Sequence, residues 1–141
     1  MPNRNRERNR SRSARTRERA SAAVEFALVL PLVLVMGLAL VQVGLLVKDQ
    51  LVVLGSARAG AREAAVVSDD AAVRQAVVDA AAAGGLDPND VSVSVAREGS
   101  TGTPVAVTVS YHAPVVVPLV EWLFPSAVDL TGEATMRQET G

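Results

Sequence analysis

The sequence predicts an α+β chain. An N-terminal transmembrane helix extends into a long helix, and a short helix and a small antiparallel three-stranded sheet follow. Three observations predict it. Phe26 to Val47 is a run of 22 residues without a formal charge. A second stretch, residues 70–83, repeats apolar side chains at helical spacing, and the C-terminal third alternates apolar and polar residues at a period of two.

The charge distribution orders these parts. Residues 1–20 hold eight Arg against Glu7 and Glu18, so six of the chain's positive charges are in excess there. The remainder carries six of the 14 basic and 13 of the 15 acidic side chains, an excess of seven negative charges. Opposite halves of this kind point to two compartments rather than one folded surface. The expected organisation is an Arg-rich cytoplasmic leader at 1–20, a transmembrane helix at 21–47, its extension at 48–67, and an extracytoplasmic α+β domain at 68–141.

The apolar run fits a bilayer. At 1.5 Å per residue, 22 residues span about 33 Å, close to a hydrocarbon core of about 30 Å. Gln42 is its only strongly polar side chain. Pro31, Gly37 and Gly44 weaken a soluble helix but are tolerated in lipid. Eight Arg on one side against Lys48 and Asp49 on the other keep the N-terminus cytoplasmic. A cleaved secretory signal would have a shorter apolar core and a small-residue site directly after it. Here "KDQLVVLG" intervenes before the weak match Ala57-x-Ala59. A nucleic-acid role for the Arg run lacks any aromatic residue in 1–20 to stack on bases, so the run is read as a topology signal.

Glu25 stands just inside the apolar run. Either it lies at the cytoplasmic interface and reaches toward headgroups, or it lies within the apolar layer and has a partner. An ionisable group at mid-helix costs roughly 2.5–3.5 kcal/mol on insertion scales and marks a functional position.

The residues around it, "RASAAVEFALVLP", resemble the N-terminal signature of TadE-like pseudopilins, minor pilin-like subunits of the tight-adherence (Flp-type) pilus. In that family a basic leader ends at a small residue, usually Gly, where a prepilin peptidase cuts. A Glu and an aromatic occupy the fifth and sixth mature positions. The resemblance therefore implies a cut between Ala20 and Ser21, with Glu25 fifth and Phe26 sixth. Ala20 stands where Gly is usual. "GSARAGAREAAV" is similar to the small, Arg-containing helix that follows the span in these proteins, and "VDLTGEATMRQE" to their last strand.

The resemblance implies a pilin-like fold and a subunit that assembles a tight-adherence pilus or related secretion apparatus, a machinery of surface adhesion. Its implied partners are the membrane, other pilin or pseudopilin subunits, pilus assembly proteins and the prepilin peptidase. It also implies that Glu25 pairs with the Ser21 α-amine of a neighbouring subunit. The alternative is an unprocessed single-pass anchor whose extracytoplasmic domain binds another envelope partner.

Beyond the span, Gly55, Ser56, Ala57, Ala59, Gly60, Ala61, Ala64 and Ala65 give several small-xxx-small spacings. They predict close helix packing, with Gly55, Ala59, Gly60 and Ala64 as the candidate contact to a partner subunit. Arg58, Arg62 and Glu63 read as a solvated stripe. Ser68 or Asp69 is expected to cap a helix at Asp70–Ala83, with Val73, Ala76, Val77 and Ala80 on one face and Gly84-Gly85 ending it. "LDPND" lacks EF-hand spacing and reads as a turn, not a calcium loop.

Three strands follow. Val91, Val93 and Val95 share a face of the first, and Val105, Val107, Val109 and Tyr111 a face of the second. Val128, Leu130, Ala134 and Met136 share a face of the third. "REGSTGTP" reads as a hairpin loop, and the short helix is expected to cover the apolar face. Residues 113–127, "APVVVPLVEWLFPSA", are unusually apolar. Trp122 and Phe124 there either plug the domain or touch the membrane or a neighbour.

An enzyme is not expected. There is no Cys and one His, no nucleophile motif and no phosphate loop. His112 is read as structural. No cofactor, metal, small-molecule substrate or nucleic acid is expected.

Overall fold

The computed structural model describes residues 4–99, 101–115 and 126–139, with side chains from Arg19 onward. The fold is α+β: α1 (Arg4–Val66), α2 (Asp70–Ala83), a 3-10 turn (Pro88–Asp90), β1 (Val91–Arg97), β2 (Pro104–Pro114) and β3 (Ala127–Arg137). The sheet is antiparallel in the order β1-β2-β3.

Helix α1 is longer than the expected segment. It begins at Arg4, well before residue 21, and runs through Pro31 without ending. Residues 4–30 contain neither Gly nor Pro, and Arg, Glu and Ala are good helix formers, so nothing local stops it. Only the missing N–H of Pro31 interrupts the hydrogen-bond ladder there.

α2 begins where its caps dictate. Asp69 is the N-cap, and its Oδ1 accepts from the Ala71 N–H at 2.9 Å. Gly84 closes the helix, and Gly85 follows with φ of 87°, the left-handed region where a side chain is costly. Asp87 caps the 3-10 turn through the Asn89 N–H, which places buried Leu86 under the domain.

The strand faces alternate as the sequence predicts. Val105, Val107 and Val109 of β2 are fully buried, with Tyr111 beside them. Val91, Val93 and Val95 of β1 and Leu130, Ala134 and Met136 of β3 pack half-buried around that line. The register pairs Val93 with Val109 and Val109 with Gly132, so one apolar face runs across all three strands.

The cover of that face differs from expectation. The upper part of α1 lies on β2 and β3, while α2 packs chiefly on α1 and, of the strands, mainly on β1. The reason is side-chain size. Gly132 brings β3 within about one methyl of the Leu54 backbone, since an added Cβ would lie 3.2 Å from Leu54 N and Cα. A Cβ at Gly60 would run into Val77 of α2 and come within 3.1 Å of Val107 Cγ1 of β2. One at Gly84 would run into Val52. α1 is thus clamped between α2 and the sheet by glycines. The buried face of α2 is Val73, Val77 and Ala81, while Ala76 and Ala80 are only half-buried. Residues 116–125, including Trp122 and Phe124, lie outside the described residues.

The end of α1 is closed by distant residues. A helix leaves its last carbonyls without partners, and no basic residue sits in this last turn. Arg97, the last residue of β1, donates from Nη1 to Ala64 O at 2.9 Å and from Nη2 to Val67 O at 3.1 Å. The Glu139 N–H donates to Ala65 O at 2.7 Å. Arg97 also donates from Nε and Nη2 to Asp70 Oδ1, at 3.1 and 3.0 Å, holding the start of α2 to the end of α1. The Gln138 amide satisfies its neighbours with its oxygen toward Arg97 Nη1 and its nitrogen toward Thr103 Oγ1 and Gly99 O.

Candidate processing and assembly segment

The lower half of α1 carries the candidate site. Within Arg19–Val66 the helix is long and apolar enough to cross a membrane. From Ser21 to Leu34 every residue is exposed on all sides. Leu28 and Leu32 are 74 % and 71 % exposed, a continuous apolar surface that water does not tolerate and lipid does. This is a membrane-anchored protein by that helix.

The candidate bond Ala20–Ser21 sits within unbroken helix, between Arg19 and the apolar run. One turn on, Ser21 Oγ lies 3.5 Å from Glu25 Oε1, so the residue that would become the N-terminus and the carboxylate share one face. An α-amine at Ser21 would be a strong donor at the same place, with a reference pKa near 8. Phe26, 65 % exposed, stands beside Glu25. Among the described residues, neither Glu25 nor Phe26 is covered by the chain's own domain.

Above this free stretch the helix becomes one-sided. Val35, Leu38, Ala39 and Leu46 are half-buried and Gln42 is fully buried, all on one face, while Leu40, Val41 and Val47 stay exposed. Glu25 and Gln42 are therefore different cases. Gln42 is shielded by protein and is not without a partner; Glu25 faces outward.

The four small residues singled out for helix packing separate into two groups. Gly60 and Ala64 are buried within the chain, against α2 and the sheet, so they are not open to another subunit. Ala59 is half-buried. Gly55 is exposed, with nothing within 4 Å of an added Cβ, and the same holds for Gly37 and Gly44. At about 100° per residue, Gly37, Gly44 and Gly55 fall within about 20° of one line, opposite the face that carries the domain. The sequence did not separate these groups, because small-residue spacing is the same for a contact inside the chain and one outside it. Arg58 and Arg62 are exposed on the same side of the helix as Gly55.

His112 Nδ1 and Asp129 Oδ1 lie 2.7 Å apart across β2 and β3, both exposed on the outer face of the sheet. Tyr111, on the inner face, has its phenol pushed above the usual value by burial. A hydrogen bond from the Asp87 backbone opposes this, and the negative charges of Asp49, Asp90 and Asp87 add to it. Among the described residues, neither gathers other titratable side chains into a set that could hold a metal ion.

Residues 20–62 match the family model described as TadE-like protein. The match begins at Ala20 and runs through Glu25 and the span to Arg62, about one turn before α1 ends. No curated protein and no solved structure matches the chain. The match shows a likeness to TadE-like proteins over the membrane helix and its continuation.

Proposed function

We propose that this chain is a TadE-like minor pseudopilin that takes part in assembling a tight-adherence pilus or related secretion apparatus, after a prepilin peptidase removes residues 1–20. The observation that carries the reading is the family match starting at Ala20, on a helix whose first apolar turns are bare of the chain's own domain. The chain itself acts by packing, not by catalysis.

Each charge then has a task. The leader's Arg residues hold the helix to the anionic cytoplasmic leaflet, at about 1 kcal/mol each near the surface, and fix the N-terminus inside. The peptidase opens the helical turn at Ala20–Ser21 and removes that anchor. The new Ser21 amine first lies one turn from its own Glu25. In the assembled state Glu25 accepts from the Ser21 amine of a neighbour instead. A mismatched register would leave one charge unpaired in an apolar layer, so the pair selects register more than it adds strength. Gly55, with Gly37 and Gly44, lets a neighbouring helix approach on the face away from the domain.

Complementation tests this function. In cells lacking their own copy, the wild-type chain should restore pili and Glu25→Gln should not, at equal membrane abundance. Full piliation with Glu25→Gln would remove the charge pair from the account.

The alternative, an unprocessed single-pass anchor, is favoured by one observation, Ala in place of the usual Gly at position 20. In that case residues 1–20 stay attached and the extracytoplasmic domain binds another envelope partner.

A further inference from the structure

The β2–β3 end of the sheet is held low on α1. Gln50 Nε2 donates to Thr131 O at 2.9 Å, and Gly132 abuts the Val53–Leu54 turn. At the other end the Glu139 N–H reaches Ala65 O. β3 therefore runs alongside α1 in the same direction, with residues 131–139 beside 50–65.

Followed downward, the four residues from Thr131 to Ala127 cover at most about 13 Å, the rise of about nine helical residues. Ala127 and its partner Pro114 thus come level with the stretch between Gln42 and Leu46. Leu46 itself packs on the core, and the Val115 N–H closes the strand pair by donating to Ser126 O at 3.1 Å.

That level lies inside the apolar run Phe26–Val47. A hydrocarbon core of about 30 Å takes about 20 residues, so one beginning at Phe26 ends near Leu45. We infer that the lower ends of β2 and β3, at Pro114–Val115 and Ser126–Ala127 (the base, among the described residues), rest in the outer-leaflet interface of the phospholipid bilayer. The span is then lipid-exposed all round up to Leu34, and the ends of β2 and β3 come alongside α1 only near its outer end.

Two further observations fit a lipid surface rather than open water. Gln42 is 1 % exposed; its amide, costly in hydrocarbon, is kept from lipid by protein. The base is also apolar, with Ala113, Pro114, Val115, Ala127 and Val128. The first polar side chains above it on these two strands are the exposed pair His112 and Asp129, at the height where headgroups would meet them.

The inference rests on the membrane-span reading, and one experiment separates the two. The chain has no Cys, so nitroxide labels can be placed singly on the full-length protein as Leu34→Cys, Ser126→Cys and Thr101→Cys. All three sites are exposed, and Thr101 lies at the far end of the sheet. In vesicles of phosphatidylethanolamine and phosphatidylglycerol, oxygen and a nickel chelate then report lipid and water access.

The expected result is Leu34 open to oxygen and closed to nickel, Thr101 the reverse, and Ser126 at interfacial depth with a several-fold loss of nickel access relative to Thr101. Nickel access at Ser126 equal to that at Thr101, with Leu34 still in lipid, overturns the inference and leaves the span intact. Shielding of Ser126 from both reagents means that protein rather than lipid covers the base, which also overturns it. Nickel access at Leu34 overturns the span and the inference together.

Discussion

Arg97 Nη1 donates to the Ala64 carbonyl at 2.9 Å, so the last residue of β1 caps a helix that ends 31 residues earlier in the chain. The same guanidinium grips Asp70 through two nitrogens. One side chain thereby joins the end of the long helix, the start of α2 and the edge of the sheet.

Replacing Arg97 by Ala removes the donors to Ala64 O and Val67 O and leaves Asp70 without its ion pair. Charge-assisted bonds of this kind are worth about 1.5–3 kcal/mol together with the carbonyls they satisfy. The expected loss is about 2–3 kcal/mol by thermal or denaturant unfolding of the detergent-solubilised chain. Arg97→Lys should recover only a part of this, because an ammonium cannot reproduce the fork. Full stability in Arg97→Lys would show that charge alone is enough.

The two groups of small residues predict opposite outcomes for one substitution. Gly60→Leu forces a side chain into Val77 and Val107 and should destabilise the domain by about 1–3 kcal/mol, net of the helix propensity it gains. At Gly55 an added Cβ meets nothing within 4 Å, and Gly55→Leu should leave the isolated chain as stable or slightly more so. In cells, Gly55→Leu should still lower piliation, because the groove it fills faces outward. Equal piliation with stable protein would take Gly55 out of the assembly surface.

Tyr111 gives a pH dependence with a definite sign. Its phenol is raised from the ordinary value of 10.0, first by burial, against a hydrogen bond from the Asp87 backbone, and further by Asp49, Asp90 and Asp87. The folded state thus holds the proton more tightly than the unfolded state. The stability this contributes is fully present below pH 10 and is lost as pH rises through the folded value. Unfolding midpoints should fall above pH 10 in the wild type and fall less in Tyr111→Phe. An equal fall in both would assign the alkaline loss to other groups.

Much of this was legible from patterns that a single segment carries by itself. The apolar run needed only its length, α2 its Asp69 and Gly84 boundaries, and the strands their period of two. Glu25 stood out because a carboxylate is expensive there. What the sequence left hidden are relations between segments. Which helix covers the sheet depended on Gly60 and Gly132, whose lack of a Cβ matters only once α1, α2 and β3 are adjacent. Arg97 gave no local sign of capping a helix, since its partners lie about 30 residues upstream. By sequence Gln42 is a lone polar residue in an apolar run, and only the fold shows it buried. The leader's helical backbone was also not expected, because its charge drew the reading toward topology alone.

The central claim is a cut at one bond, and the mature N-terminus measures it. The full-length chain, co-expressed with the prepilin peptidase of its own pilus system and extracted from the membrane, should begin at Ser21 by N-terminal sequencing and intact mass. Ala20→Gly should be processed at least as completely. A wild-type chain that keeps residues 1–20 in the presence of an active peptidase would contradict the account and leave the unprocessed anchor in its place.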